Sequence, residues 1–152
     1  MKYYVAYGSN LNLAQMASRC PYARVYGSGH INNWELIYRG VQGNSHATIR
    51  RKKGSSVPVL VWEIEDSDEK RLDAYEGYPR YYVKQNIMVN VGGSRKKCMV
   101  YIMDPSRKPG RPSPYYMEVI RQGYVDNGLD LKCFEDSLAR NMIECAGRLT
   151  AI

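Results

Sequence analysis

The residues best suited to chemistry lie near the start of the chain, where a run of strand-forming residues ends in Gly8-Ser9-Asn10. Met1 to Tyr7 is aromatic and β-branched, which predicts a buried strand. Asn10 or Asn12 can cap the helical pattern that follows. Backbone N–H groups at such a break lack partners and can bind a carboxylate or a developing oxyanion. An ordinary strand-to-helix turn has the same sequence, so the tripeptide alone leaves both interpretations open.

Glu76 is the carboxylate best placed for acid–base chemistry. It precedes Gly77 at the predicted end of a helix that begins near Ser67, and the negative end of a helix dipole disfavours another negative charge. Several neighbours in sequence could also exclude water from it: Tyr75, Tyr78, Pro79, Tyr81 and Tyr82. Both effects raise a carboxyl pKa, as a base that must later return its proton requires. A solvated glutamate in a last helical turn fits the local sequence equally well.

The composition predicts one globular domain spanning residues 1–152, large enough to fold without a metal or a disulfide. The four cysteines are widely separated and the two histidines are not at ligand spacing, so we expect no metal and no cofactor. A signal peptide and a long apolar run are both missing from the sequence. We therefore expect a cytoplasmic protein with reduced thiols and no membrane partner.

The net charge of +7 arises mainly from three short basic clusters, at residues 50–53, 95–97 and 107–111. Each stands beside Gly, Ser or Pro, which predicts solvated hairpins or loops. Clustered charge can attract phosphate groups, but the chain contains no nucleic-acid recognition motif. We expect a solvated surface rather than a nucleic-acid site, with an acidic carrier protein as the other partner that such clusters could recruit.

The remaining pattern predicts an α+β fold with a largely antiparallel, barrel-like sheet. Strands are predicted at residues 22–31, 34–38, 46–50, 58–64, 81–91 and 97–103, with hairpins around Lys52–Ser56 and Gly92-Gly93-Ser94. Helices are predicted from Leu11 to Ala17, from Ser67 to Glu76, and as two amphipathic stripes after the loop at 104–114.

Five short motifs resemble the γ-glutamylcyclotransferase (AIG2-like) family. They occur in the family's order over about residues 2 to 140, and together they are specific where each alone is weak. The motifs are Ala6-Tyr7-Gly8-Ser9-Asn10-Leu11, Ala47-Thr48-Ile49, Val61-Trp62, Leu72-Asp73-x-x-Glu76-Gly77, and Ser113-Pro114-Tyr115-Tyr116 continuing through Gly123 to Asn127-Gly128-Leu129.

The resemblance implies a small mixed β-barrel with flanking helices, and it implies an enzyme. It assigns the γ-glutamyl group to the loop Tyr7-Gly8-Ser9-Asn10 and the acid/base role to Glu76. It further implies substrate contacts from Tyr4, Tyr82, Tyr101 and Tyr116. The segment after Glu76 is shorter than in some relatives, which leaves the choice between Tyr81 and Tyr82 open.

The implied reaction is intramolecular cyclisation of a γ-glutamyl group to 5-oxoproline with release of an amine, without a cofactor. Candidate substrates are γ-glutamyl amino acids, γ-glutamyl amines and a γ-glutamyl-protected intermediate. Glutathione is less expected, because the chain lacks the match to the subgroup specialised for it. The alternatives are a binding protein without turnover, against which the presence of Glu76 argues, and a basic nucleic-acid-binding module.

Overall fold

A closed barrel of five strands forms the centre of the computed structural model, which describes residues 1–150, with side chains to residue 147. The strand order around the barrel is β1-β3-β2-β4-β5. β1 and β5 pair in parallel and close the barrel, whereas the other neighbours are antiparallel. The predicted fold class, a small and largely antiparallel barrel with flanking helices, is confirmed.

The strands and helices follow one another along the chain in a mixed order. The strands are β1 (Lys2–Ala6), β2 (Arg24–Val41), β3 (Asn44–Ile64), β4 (Tyr82–Val91) and β5 (Ser94–Met103). The helices are α1 (Leu13–Arg19), α2 (Asp66–Glu76), α3 (Pro114–Asp126) and α4 (Leu131–Thr150), and a single 3-10 turn spans Ser9–Leu11. None of the helices in the described residues is long and apolar enough to cross a membrane.

Helix α3 packs against the 3-10 turn and fixes its position. A Cβ added to Gly123 would lie 2.6 Å from Leu11 Cβ and 2.8 Å from the Asn12 nitrogen, so the close approach requires glycine. Asn12 Nδ2 donates to the Val119 carbonyl at 3.0 Å, and Asn127 Nδ2 donates to the Leu11 carbonyl at 2.7 Å. Two side-chain hydrogen bonds and one backbone contact therefore hold the turn against α3.

The prediction of four short strands in the first half of the chain is wrong. Residues 22–31 and 34–38 fall largely within β2, and residues 46–50 and 58–64 both belong to β3. The register of the two strands shifts between Asn32 and Trp34. There Asn33 and Gly54 both have positive φ, and Gly54 N donates to Asn33 Oδ1 at 3.1 Å. Turn-forming residues here make an irregularity inside two long strands, and the hairpin turn lies at residues 42–43.

The basic cluster at residues 50–53 lies within β3 rather than in a loop. Arg50 Nε donates to Glu35 Oε1 at 2.7 Å, and Glu35 is buried. Arg50 Nη1 also lies 3.5 Å from Glu144 Oε2, which links β3 to α4. Lys52 and Lys53 are exposed. One residue of the cluster therefore belongs to an ion-pair network of the fold, which corrects the expectation of a solvated loop.

Replacing Arg50 with Gln is expected to lower the free energy of unfolding by about 1–3 kcal/mol, because the buried Glu35 loses a charged donor. Lys52→Gln and Lys53→Gln are the matched controls on the same strand, and each should change it by less than about 0.5 kcal/mol. Urea unfolding near neutral pH measures all three variants. An Arg50→Gln protein as stable as the two controls would contradict a stabilising role for these ion pairs.

Candidate active site

The end of β1 brings the tripeptide Gly8-Ser9-Asn10 to one end of the barrel. The chain leaves β1 after Ala6 and bends into the 3-10 turn, in which Leu11 N donates to the Gly8 carbonyl at 3.0 Å. Trp62 Nε1 on β3 donates to the Asn10 carbonyl at 3.1 Å. The helix cap predicted at Asn10 or Asn12 belongs to Asn12, whose Oδ1 accepts from Gln15 N at 3.0 Å. Asn10 is thereby left for contacts within the site.

Helix α2 places Glu76 beside this turn. The helix begins with a capping box between Glu65 and Asp68, buries Leu72, and ends at Glu76 because Gly77 adopts the left-handed conformation, with φ of 64°. The predicted helix end is therefore confirmed. The Glu76 side chain is carried to the wall of a cavity instead of remaining on a solvated surface.

A cavity of about 160 Å³ lies between the 3-10 turn, the end of α2 and the barrel. All nine residues predicted for the site line it: Tyr4, Tyr7, Gly8, Ser9, Asn10, Glu76, Tyr82, Tyr101 and Tyr116. They come from three strands (β1, β4 and β5), two helices (α2 and α3) and the turn that follows β1. The structure thus places the predicted residues around one cavity, which makes it the candidate site.

Burial raises the pKa of Glu76 from 4.5 to about 7, and the Arg19 guanidinium opposes this in part. The walls around the carboxyl are mainly tyrosine rings rather than cations, so the charged form is poorly solvated. Within the described residues, no hydrogen-bond donor or ion-pair partner of the Glu76 carboxylate is found. A carboxyl of this kind can take up and return a proton near neutral pH.

Arg19 holds part of the wall without lining the cavity itself. Its Nη1 donates to Asn10 Oδ1, its Nη2 donates to Gln15 Oε1 at 2.6 Å, and its guanidinium lies 3.7 Å from the centre of the Tyr75 ring. The charge of Arg19 is therefore shared among three partners. This arrangement explains how Glu76 can have a raised pKa with an arginine nearby.

Tyr81 and Tyr82 both line the cavity, but they differ in burial and in their contacts. Tyr82 is buried and donates from Oη to the Ala47 carbonyl at 2.6 Å. Tyr81 Oη lies 2.7 Å from His46 Nδ1, and the Arg107 guanidinium lies 4.7 Å from the Tyr81 ring centre. Tyr82 therefore belongs to the inner wall, and Tyr81 connects the cavity to the loop that carries Arg107.

Several residues of the site were missed by reasoning from the sequence. His46, Ala47 and Val5 also line the cavity, and so does Tyr75, which was expected only to exclude water from Glu76. The motif Ala47-Thr48-Ile49 was the available signal for His46, which directly precedes it. Tyr78, expected to exclude water from Glu76, is instead 41% exposed and stacks on Lys84. That expectation is wrong for Tyr78, because the turn at residues 77–80 leaves it exposed before the chain reaches the cavity again at Tyr81.

A closed barrel that carries one desolvated carboxyl and a wall of tyrosines around a cavity is suited to acid–base chemistry on a small molecule. The sequence comparisons agree with this class. The family model described as "Gamma-glutamyl cyclotransferase, AIG2-like" matches residues 4–119. The chain therefore belongs to this family of enzymes.

Individual relatives cover nearly the whole chain. The human protein named gamma-glutamylcyclotransferase is 28% identical over 97% of this chain and 82% of its own length. The bovine protein of the same name is 32% identical over 85% of this chain and 73% of its own length. A solved structure named gamma-glutamyl cyclotransferase superposes with a TM-score of 0.81 at 29% identity, covering 90% of this chain and 85% of that one.

Glu76→Gln is expected to stabilise the protein above neutral pH. The unfolded chain releases the Glu76 proton near pH 4.5 and the folded protein near pH 7, so folding stability falls as the pH rises through this window. Above this window the ionised carboxyl lowers the free energy of unfolding by at most about 3 kcal/mol, and the uncharged glutamine has no such effect.

Urea unfolding at about pH 5 and about pH 8 measures this effect. The gain from Glu76→Gln should be much larger at the higher pH. Glu118→Gln, an exposed glutamate on α3, is the control and should show no such difference. An equal effect of Glu76→Gln at both pH values would mean that the Glu76 carboxyl is not desolvated.

Proposed function

We propose that this protein cyclises the γ-glutamyl group of a γ-glutamyl amine or amino acid to 5-oxoproline, with Glu76 as the general acid/base. The observation that carries the proposal is the position of Glu76, a desolvated carboxyl with a pKa of about 7 on the wall of the cavity. Membership of the family and the names of the human and bovine relatives support the same reaction.

The reaction begins with proton transfer to Glu76. The ionised carboxylate accepts a proton from the substrate's α-ammonium, and the freed amine attacks the γ-carbonyl carbon of the same molecule. A carbon–nitrogen bond forms, the carbonyl π electrons move to oxygen, and a five-membered ring with an oxyanion results. Because amine and carbonyl belong to one molecule, binding it in a folded shape supplies much of the acceleration.

The second half of the reaction returns the protons. The oxyanion reforms the carbonyl, the bond to the leaving nitrogen breaks, and the Glu76 carboxylic acid protonates that nitrogen. The ring nitrogen still carries one proton too many after the attack, and the Glu76 carboxylate, ionised again, accepts this proton and passes it to the released amine. Both protons lost by the α-nitrogen then reside on the released ammonium, and Glu76 ends in its ionised form. A carboxyl with an ordinary pKa would be a poor acid in this step, which is the chemical use of the raised pKa.

The main rival is a protein that binds a small molecule without converting it. Burial of an unpaired carboxyl destabilises a fold, and binding alone does not require it. A binding site for an ammonium group would gain more from a permanently ionised carboxylate. The raised pKa of Glu76 therefore supports turnover over simple binding.

Glu76→Gln is expected to lower 5-oxoproline formation by about 100- to 10,000-fold, because glutamine keeps the size of glutamate but accepts no proton. Release of 5-oxoproline from γ-glutamyl dipeptides and amines is the assay, with Glu118→Gln as the control. In the wild type, turnover should fall as the pH drops below about 7, where Glu76 is protonated. A folded Glu76→Gln protein with near-normal turnover would exclude Glu76 as the base.

The position and the unpaired Nε of Arg107 favour γ-glutamyl amino acids over γ-glutamyl amines as substrates. Its Nε is buried and has no hydrogen-bond acceptor among the described residues. Its guanidinium stacks on Tyr81, which lines the cavity. A buried donor without an acceptor is costly, and the carboxylate of a leaving amino acid would provide a charged acceptor.

Turnover of γ-glutamyl-alanine should accordingly exceed that of γ-glutamyl-ethylamine, which lacks just that carboxylate. Arg107→Gln should reduce this preference by about 10- to 100-fold, the value of one charged hydrogen bond. Comparison of kcat/KM for the two compounds provides the measurement. An unchanged ratio in Arg107→Gln would refute the role of Arg107, whereas failure of both compounds in the wild type would count against the proposed reaction itself.

A further inference from the structure

The direction of the hydrogen bonds made by the buried cavity tyrosines can be assigned, because each partner has a fixed polarity. A tyrosine hydroxyl has one proton to donate and lone pairs with which to accept. A partner that can only donate leaves the tyrosine proton free for a ligand. A partner that can only accept uses that proton and leaves the lone pairs.

Three of the tyrosine hydroxyls donate their proton in a hydrogen bond to another group of the protein. Tyr7 Oη donates to the Tyr101 carbonyl at 2.7 Å, and Tyr82 Oη donates to the Ala47 carbonyl at 2.6 Å. Tyr101 Oη donates to Asp73 Oδ1 at 2.6 Å. Carbonyl and carboxylate oxygens are acceptors, so the direction of these bonds is fixed. Toward a ligand these three hydroxyls offer lone pairs, as Glu76 does when ionised.

Tyr116 has the opposite polarity. Its Oη accepts the backbone N–H of Ala47 at 3.0 Å, a group that can only donate. In the part of the chain that the structure describes, no acceptor takes the Tyr116 proton. Burial also raises the pKa of Tyr116 well above its usual value, so the hydroxyl keeps its proton throughout the working pH range.

The proton of the Tyr4 hydroxyl is also free for a ligand. Asn10 Nδ2 donates to Tyr4 Oη at 2.9 Å. The orientation of the Asn10 amide is fixed because Arg19, which has no acceptor, donates to Asn10 Oδ1. The amide NH₂ must therefore face Tyr4, and the Tyr4 hydroxyl can donate to a ligand.

The free Tyr116 proton lies next to the backbone of the 3-10 turn. A Cβ built on Gly8 would be 3.5 Å from Tyr116 Oη, and both residues line the cavity. In the proposed reaction, negative charge develops on the γ-carbonyl oxygen, and fixed donors beside that oxygen lower the barrier. Of the two tyrosines with a free proton, Tyr116 therefore lies beside Gly8, whereas Tyr4 lies beside Asn10.

We propose that Tyr116 is a catalytic residue, whose hydroxyl donates a hydrogen bond to the γ-carbonyl oxygen as that oxygen becomes negative. The assignment rests on the proposed function. The substrate has a second anionic group, the α-carboxylate, and Tyr4 is the second tyrosine with a free proton. The α-ammonium then faces Glu76 and the lone pairs of Tyr7, Tyr82 and Tyr101. The hydrogen-bond polarity of the wall therefore matches the charges of a γ-glutamyl group.

Steady-state kinetics of Tyr116→Phe with a γ-glutamyl dipeptide test this assignment. Loss of one oxyanion donor should lower kcat by about 100- to 1,000-fold, and KM should change little because the bond strengthens in the transition state. Tyr4→Phe should instead raise KM. A Tyr116→Phe protein with raised KM and near-normal kcat would overturn the assignment.

Tyr124→Phe is the matched control, since Tyr124 is on the same helix and its buried hydroxyl has no partner in the described structure. Its turnover and pH profile should equal those of the wild type. Loss of the Tyr116 hydroxyl leaves the Ala47 N–H unpaired and can weaken the fold, so a readout independent of folding is needed.

A substrate with sulfur in place of the γ-carbonyl oxygen gives that readout. Sulfur accepts hydrogen bonds weakly, so the wild type should turn over the oxygen compound much faster. In Tyr116→Phe the ratio of the two rates should shrink by about 10-fold or more, whatever fraction of the protein is folded. An unchanged ratio would refute the donor role of Tyr116. Absence of 5-oxoproline from the wild type would instead refute the proposed reaction.

Discussion

The removal of the Glu76 carboxyl from water is the constraint on which the site depends. A cation placed against this carboxyl would stabilise its ionised form and return its pKa to the acidic range. The chain contains 22 Lys and Arg residues, yet the residues lining the described cavity include neither. Arg19, which lies close, has its donors bound to Asn10 and Gln15. The fold therefore keeps its positive charge outside a cavity that must desolvate one acid.

Tyrosine can desolvate Glu76 and still form hydrogen bonds within the cavity wall, which phenylalanine cannot do. Seven of the fourteen tyrosines line the cavity. Their rings exclude water, and their hydroxyls pair with backbone groups that would otherwise be buried without partners, such as the N–H and carbonyl of Ala47. The same hydroxyls present donors or acceptors to a ligand. The unusual aromatic composition thus suits the proposed site, in which the wall is apolar toward Glu76 and polar toward a substrate.

Local sequence signals predicted those elements whose ends are set by local chemistry. Helix α2 ends at Gly77 and the β4–β5 turn contains Gly92-Gly93, as expected. Asn33 and Gly54 misled the prediction, because residues with positive φ serve turns and strand irregularities alike. The site residues were found through motifs rather than periodicity. The polarity of the hydroxyls was not predictable, because it depends on partners as distant in sequence as Tyr7 and Tyr101.

Helix α3 explains how the site can be rigid although its parts are far apart in the chain. Its first turn carries Tyr116, and its last turns clamp the 3-10 turn through Gly123 and Asn127. The Tyr116 hydroxyl and the turn that follows Gly8 are thus held by the same helix. Preorganised donors stabilise a developing charge because they need no rearrangement during the reaction. In this fold, the packing of one helix therefore sets the geometry that the proposed reaction requires.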